Sequence, residues 1–425
     1  MKENIAVTRF SNGLTILTEK MPDVRSATVG FWLRKGARHE PAELNGILHF
    51  IEHTVFKGTT RRTALDIAIE TDRLGGNFNA FTSHEITGFV IKVVDKNALK
   101  AFDLLADLLV NPLFDEKELK RERKVVIEEI KMVEDSPEEF LSELFADAFF
   151  PNHALGLPIT GTRKTVSKFN HERTANFHAD FYSPENLVIA CAGNVEHQQI
   201  VEIADKFFNQ KSKVKNQRSK IIETPKYSQT ILIKNKKDLE QAHLIISTPW
   251  ISAIDERRYA ASLLVCILGD GNSSRLWQKI REERGLAYSV GATSADFEDC
   301  GMFSIYAGCS PEKVGEVIDL SIAELRNIKQ TGVTADELNL AKEQITASIL
   351  LGLEDSSNRA EILAQQEITY GRQISVEEAL EKFEQVSVKD IQDLANEFFQ
   401  TEKIALGVLG NLNGLKITRE RLDVS

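Results

Sequence analysis

No run of about 18 apolar residues occurs in the 425-residue chain, so no segment reads as a membrane-spanning helix. Cysteine is scarce. Cys191, Cys266, Cys300 and Cys309 lie far apart with no C-x-x-C pair, too few for a disulfide framework and too scattered for a thiolate metal site. They read as reduced, mostly buried thiols of a cytosolic protein. The first ten residues lack the apolar core of a secretory signal and the Arg/Ser-rich character of a transit peptide, so a cytoplasmic location is expected. Positive charge is in deficit: 52 Lys and Arg stand against 63 Asp and Glu, a net charge of −11. That balance argues against a nucleic-acid binder, which needs a basic surface to meet phosphates. What is present is ordinary for a globular protein, with 42 % hydrophobic and 27 % charged residues. At about 150 residues per domain, the length gives roughly two to four domains.

The first half mixes strand and helix patterns. Apolar and polar residues alternate over residues 8–18 and 26–35, around a Pro22-Asp23 turn, which predicts two half-buried strands. Helical spacing runs over 44–56 and stops at Lys57-Gly58, and a second helix over 64–74 stops at Gly75-Gly76. Residues 77–94 read as strand, 96–109 as helix, 115–150 as a long charged helical stretch broken near Pro137, and 187–192 as a short strand closed by Gly193-Asn194. Residues 209–226 are rich in Lys, Ser and Asn without periodic apolar positions. They read as an exposed linker whose basic run (Lys211, Lys213, Lys215, Arg218, Lys220) is a solvated tether.

The second half repeats the first. FHADFYSPENLVIACAGNV at 177–195 aligns without gaps on LANEFFQTEKIALGVLGNL at 394–412, matching Phe181 with Phe398 and Gly193-Asn194 with Gly410-Asn411. Glu134-Asp135-Ser136 likewise matches Glu354-Asp355-Ser356 at nearly the same offset. The expected fold is therefore α+β, two duplicated α/β-sandwich units. Residues 1–208 form the first, 209–228 the linker and 229–425 the second.

His49-Phe50-Ile51-Glu52-His53 is the sharpest local signal. A helix advances about 100° per residue, so His49 and His53 lie about 40° apart, one turn from each other on one face. Two imidazoles so placed suit one Zn²⁺. Glu52, about 60° from His49, is placed to accept a proton from a metal-activated water without being a ligand. This H-x-x-E-H order is the inverzincin motif. A third ligand is needed, and Glu122, Glu128, Glu129 and Glu134 on the following charged helix are all candidates; spacing does not choose among them. The second repeat lacks the motif and carries Ser348 and Ile349 near the place of Glu129, so one repeat carries the chemistry.

The stretch from Gly46 to Thr59 resembles the zinc-helix signature of the pitrilysin/insulysin family of zinc peptidases, in its mitochondrial-processing-peptidase-like subgroup; Thr54 stands where Met is expected. Glu122-Arg123-Lys124-Val125-Val126-Ile127-Glu128-Glu129-Ile130 resembles the second signature. That resemblance implies His49, His53 and Glu129 as ligands of one zinc per chain, Glu52 as catalytic base and Glu122 as a supporting carboxylate. Gly75-Gly76-Asn77-Phe78-Asn79-Ala80-Phe81-Thr82-Ser83 resembles the substrate-edge strand, implying that Asn79, Ala80, Phe81 and Thr82 hold an extended peptide. Residues 271–276 and 281–290 resemble the Arg/Tyr segment, implying that Arg281 and Tyr288 donate to the substrate carbonyl or developing oxyanion. Longer family members carry four such units around a chamber. Two units here imply a homodimer acting on short or unfolded peptides as an endopeptidase, including precursor processing. The competing expectation is a non-catalytic scaffold subunit, as some relatives are; those lose motif ligands, and this chain keeps them.

Overall fold

A computed structural model describes residues 3–208, 223–412 and 414–425. The linker's basic run lies outside them. In chain order the first half runs β1 (Ile5–Arg9), β2 (Thr15–Lys20), β3 (Ser26–Leu33), α1 (Ile47–Thr54), α2 (Ala64–Leu74), β4 (Asn77–Thr82), β5 (Thr87–Val94), α3 (Ala98–Val110), α4 (Glu116–Asp135), α5 (Pro137–Phe149), α6 (Arg163–Val166), α7 (His171–Phe181), β6 (Leu187–Gly193) and α8 (His197–Phe208). The second runs β7 (Ile231–Asn235), β8 (Ala242–Trp250), α9 (Arg258–Gly269), a π-helical turn (Trp277–Glu282), β9 (Ala287–Asp296), β10 (Gly301–Cys309), α10 (Val314–Thr331), α11 (Ala335–Gly352), α12 (Ser356–Tyr370), α13 (Val376–Gln385), α14 (Val388–Phe398) and β11 (Ala405–Gly410). No described helix is long and apolar enough to cross a membrane.

Two expected strands divide on closer view. Residues 8–18 hold the end of β1, a turn and the start of β2; Gly13 at φ +95° makes the turn, and Gly13 N–H donates to Phe10 O. Residues 77–94 are the β4–β5 hairpin, turned at Ser83, whose hydroxyl bonds the backbone of Ile86. The long helix does break at Pro137, which starts α5 with its fixed φ and missing N–H.

The duplication is visible in topology. The first sheet has the order β1-β2-β6-β3-β5-β4 and the second β7-β11-β8-β10-β9, which is the first without β1. In both, the pair at the same place is parallel (β2 with β6, β7 with β11) and the rest are antiparallel. α14 begins and ends 217 residues after α7, the offset of the sequence repeat.

Packing corrects the expected domain boundaries. One compact unit takes the described residues of 1–132, 157–222 and 350–375, the other those of 133–156, 223–349 and 376–425. α5, from the first half of the sequence, packs on β8 and β11, where Phe145, Phe149 and Phe150 meet Ala405 and Ile245. α12, from the second half, covers β2, β3 and β6, where Leu363 and Ala364 meet Leu17, Trp32 and Val188. Each sheet has two apolar faces and each repeat's own helices cover one of them, so the other needs a helix from elsewhere in the chain. In the first unit the second face is also pinned by charge. Buried Arg359 binds Glu19 (2.6 Å) and Glu3 (2.7 Å), and buried Glu367 takes Arg9 (2.8 Å) and Arg34 (3.3 Å).

Candidate metal centre

α1 is short, so its position depends on its ends and its apolar face. Ile47, Leu48, Phe50, Ile51 and Thr54 are buried, which leaves His49, Glu52 and His53 together on the half-buried face. Gly46 begins the helix at φ +90°, where a Cβ would lie 2.5 Å from Gly161 Cα; only glycine fits there. The free N–H groups of the first turn find a buried carboxyl group. Glu40 accepts from Gly46 N–H and Leu48 N–H, both at 2.7 Å. Burial pushes the Glu40 carboxyl up to about 8, against the opposing pull of these N–H donors.

α4 supplies the third carboxylate. Glu128 is exposed and pairs with Lys131 at 2.6 Å. Glu129 Oε2 lies 3.4 Å from His53 Nε2 and 3.8 Å from His49 Nε2, and is buried without a hydrogen-bond partner. Among the described residues these three side chains alone form a cluster able to hold a metal, with all donor atoms within 4.8 Å of one another. Bonds of about 2.0–2.1 Å in a tetrahedral zinc site put neighbouring donors roughly 3.3 Å apart. The Glu129 oxygen lies within about 0.5 Å of that spacing from both imidazoles, and two nitrogens with one oxygen suit zinc. A buried carboxylate oxygen facing two imidazoles without a proton donor is the arrangement a cation completes. The residues fit the ion.

Electrostatics favour a neutral, lone-pair-donating ring at His49 and positive charge beside the carboxylates at His53. Burial, with the His53 ring beside it, lowers His49 to about 4, which keeps its imidazole neutral and able to donate a lone pair. Burial also opposes charge on His53, but Glu122, Glu129 and Glu52 outweigh it and raise the group above its ordinary value. Glu122 is buried, 3.6 Å from His53 Nδ1, and held by Lys57 Nζ at 2.9 Å. It faces the ring nitrogen opposite the one near Glu129, where a supporting carboxylate fixes the tautomer. Glu52 is not within the donor cluster. Burial raises its carboxyl, Thr82 and His53 pull the other way, and Glu129 adds to the rise.

β4 is an edge strand paired on one side with β5. Asn79 is exposed, Ala80 packs toward the core under α1, and Phe81 packs toward the opposite core under α12. Thr82 Oγ1 donates to Glu52 Oε2 at 2.6 Å. Arg281 and Tyr288 belong to the other unit. The Arg281 guanidinium lies 3.9 Å from the Trp277 ring centroid and 5.3 Å from that of Tyr288, which is 79 % exposed. Sequence reasoning missed Glu40, Lys57 and the Thr82–Glu52 bond. Lys57 had a signal, since it follows His53 by four residues; the other two are tertiary contacts without one.

The duplicated α+β fold thus gathers His49 and His53 of α1 and Glu129 of α4 into one candidate metal centre. The profile described as Insulinase (Peptidase family M16) matches residues 15–163, and that described as Peptidase M16 inactive domain matches 168–345. An uncharacterized zinc protease of Streptomyces coelicolor is 37 % identical, covering 97 % of this chain and 91 % of that protein. The uncharacterized zinc protease YmxG of Bacillus subtilis is 38 % identical, covering 94 % and 96 %. In fold, the chain is similar to the crystal structure of a protease from Helicobacter pylori, with a TM-score of 0.88, 24 % identity and coverage of 96 % and 100 %. The chain belongs to the pitrilysin/insulysin zinc peptidases, peptidase family M16.

Proposed function

We propose that the chain is a zinc endopeptidase that cleaves short or unfolded polypeptides. The observation that carries this reading is the Glu129 carboxylate oxygen set 3.4 and 3.8 Å from the two imidazoles of α1. His49, His53 and Glu129 hold the ion. Zinc supplies Lewis acidity toward the scissile carbonyl and toward a water. Glu52, outside the donor set and raised by burial, accepts the water's proton and passes it to the leaving amine. The open edge of β4 adds main-chain hydrogen bonds to an extended peptide, which is why a folded substrate is excluded. Arg281 and Tyr288 donate to the carbonyl oxygen as charge develops.

The working form is a homodimer of chains with one zinc each. Support comes from the two-unit architecture and from a metal set complete within one chain. The reading is tested by metal analysis and Glu52→Gln. The purified protein should hold about one zinc per chain, and chelation should stop peptide cleavage. Glu52→Gln should keep the metal and lose about 10²–10⁴-fold in kcat. Full turnover without zinc, or in Glu52→Gln, overturns the mechanism. Mixing Glu52→Gln with Arg281→Ala chains should restore part of the activity if each site draws on both subunits; no recovery places the whole site in one chain.

A further inference from the structure

We infer that Thr82 is the positioning residue of the Glu52 carboxylate and that it ties the base to the edge strand β4. The inference rests on the reading of Glu52 as base. Thr82 closes β4, and its hydroxyl donates to Glu52 Oε2 at 2.6 Å across 30 residues of sequence. No other side-chain hydrogen bond to Glu52 is present among the described residues, so Oε1 is the oxygen left to accept a proton.

The donor is well anchored. Thr82 pairs with Thr87 of β5, and the Thr87 hydroxyl is itself fixed on Lys35 O at 3.0 Å. A β-branched side chain on a paired strand has little χ1 freedom, so the hydroxyl position is set by the sheet. Glu52 has three side-chain torsions and sits on a two-turn helix. Without a donor, its half-buried carboxylate would both lack compensation for desolvation and sample several rotamers. Thr82 removes both problems. A peptide adding to the free edge of β4 also orders the strand whose last residue aims the base, which makes alignment sensitive to a bound substrate.

The test uses zinc-loaded full-length protein, a fluorogenic peptide, and a zinc-chelating peptide hydroxamate whose acidic proton Glu52 accepts. Thr82→Val and Thr82→Ala remove the hydroxyl with different packing; Thr82→Ser keeps it. Both hydroxyl-free variants should lose roughly 10–100-fold in kcat with KM within about threefold, as expected for a misaimed base. They should retain zinc against a chelator as the wild type does. Thr82→Ser should recover kcat to within about threefold. Hydroxamate affinity should fall about tenfold in Thr82→Ala, and Thr82→Ala should have no further effect in a Glu52→Gln background. Wild-type kcat in either hydroxyl-free variant, Thr82→Ser as impaired as Thr82→Ala, or zinc loss with Thr82→Ala overturns the inference. Wild-type turnover of Glu52→Gln instead overturns the reading of Glu52 as base, and the Thr82 series leaves that result unchanged.

Discussion

His53 is contested from two sides: its Nε2 faces Glu129 at 3.4 Å and its Nδ1 faces Glu122 at 3.6 Å. In the proposed mechanism Glu129 is a metal ligand and Glu122 is not, so the two carboxylates should separate experimentally. Glu129→Gln should abolish tight zinc binding. Glu122→Gln should weaken zinc affinity about 10–100-fold in chelator competition, yet recover turnover at saturating zinc. Glu128→Gln, on an exposed residue paired with Lys131, should change neither measurement. Equal losses from Glu122 and Glu128 would mean that net charge on α4, not the His53 contact, sets affinity. The three residues of α1 were legible in the sequence because helix periodicity alone puts His49, Glu52 and His53 on one face. Glu129 was not, because several glutamates compete on α4, and only tertiary contact or family resemblance chooses among them.

The elements carrying these residues depend on contacts that local pattern does not encode. α1 starts on the Glu40 carboxyl group, which accepts from two first-turn N–H groups. Glu40→Gln turns one acceptor oxygen into an NH₂ that confronts a backbone N–H. The cost of such a buried mismatch is about 1–3 kcal/mol, and it should appear as a lower Tm together with weaker zinc binding. A lower Tm with unchanged zinc affinity would detach the helix cap from the metal site. A second element gives a pH signature. At the start of α11, Glu337 takes Arg275 at 2.7 and 2.9 Å and the Thr334 N–H at 2.8 Å, so its carboxyl is lowered to about 2, chiefly by Arg275. A carboxyl held below its unfolded value adds stability above about pH 4.5, lost as pH falls toward 2. The Tm gap between wild type and Glu337→Gln should be widest above pH 5 and close toward pH 2. A gap that does not change with pH would assign the loss to packing. In the elements themselves, α2 and the Pro137 break followed directly from the sequence, because a Gly stop and an N1 proline are local signals. The two hairpin turns were lost inside long alternating runs, where Asn12-Gly13 and Ser83 were outweighed by their apolar neighbours.

For the molecule as a whole, sequence order and packing order differ. The repeat itself was readable, and topology repeats it strand for strand. The exchange of α5 and α12 was not, because an amphipathic helix records that it has an apolar face and not which sheet covers it. This has a consequence for cutting the chain at the linker. A fragment of residues 1–208 contains all three proposed zinc ligands and the base, but lacks α12. It would leave Leu17, Trp32, Val188, Ala190 and Ala192 uncovered on one face of its sheet. Glu19 would lose Arg359, and Arg9 and Arg34 would lose Glu367. It would also carry α5 with Leu141, Phe145 and Phe149 stripped of the second sheet. Exposed apolar area of that kind favours aggregation or a loosely packed state. The fragment should bind ANS, unfold without a sharp transition and hold zinc poorly. Adding a peptide of residues 350–375 should sharpen the transition and improve zinc retention, because it returns both the apolar cover and the buried charges. Cooperative unfolding of the fragment alone, at the Tm of the intact protein, would show that α12 is dispensable to the sheet that carries the metal centre.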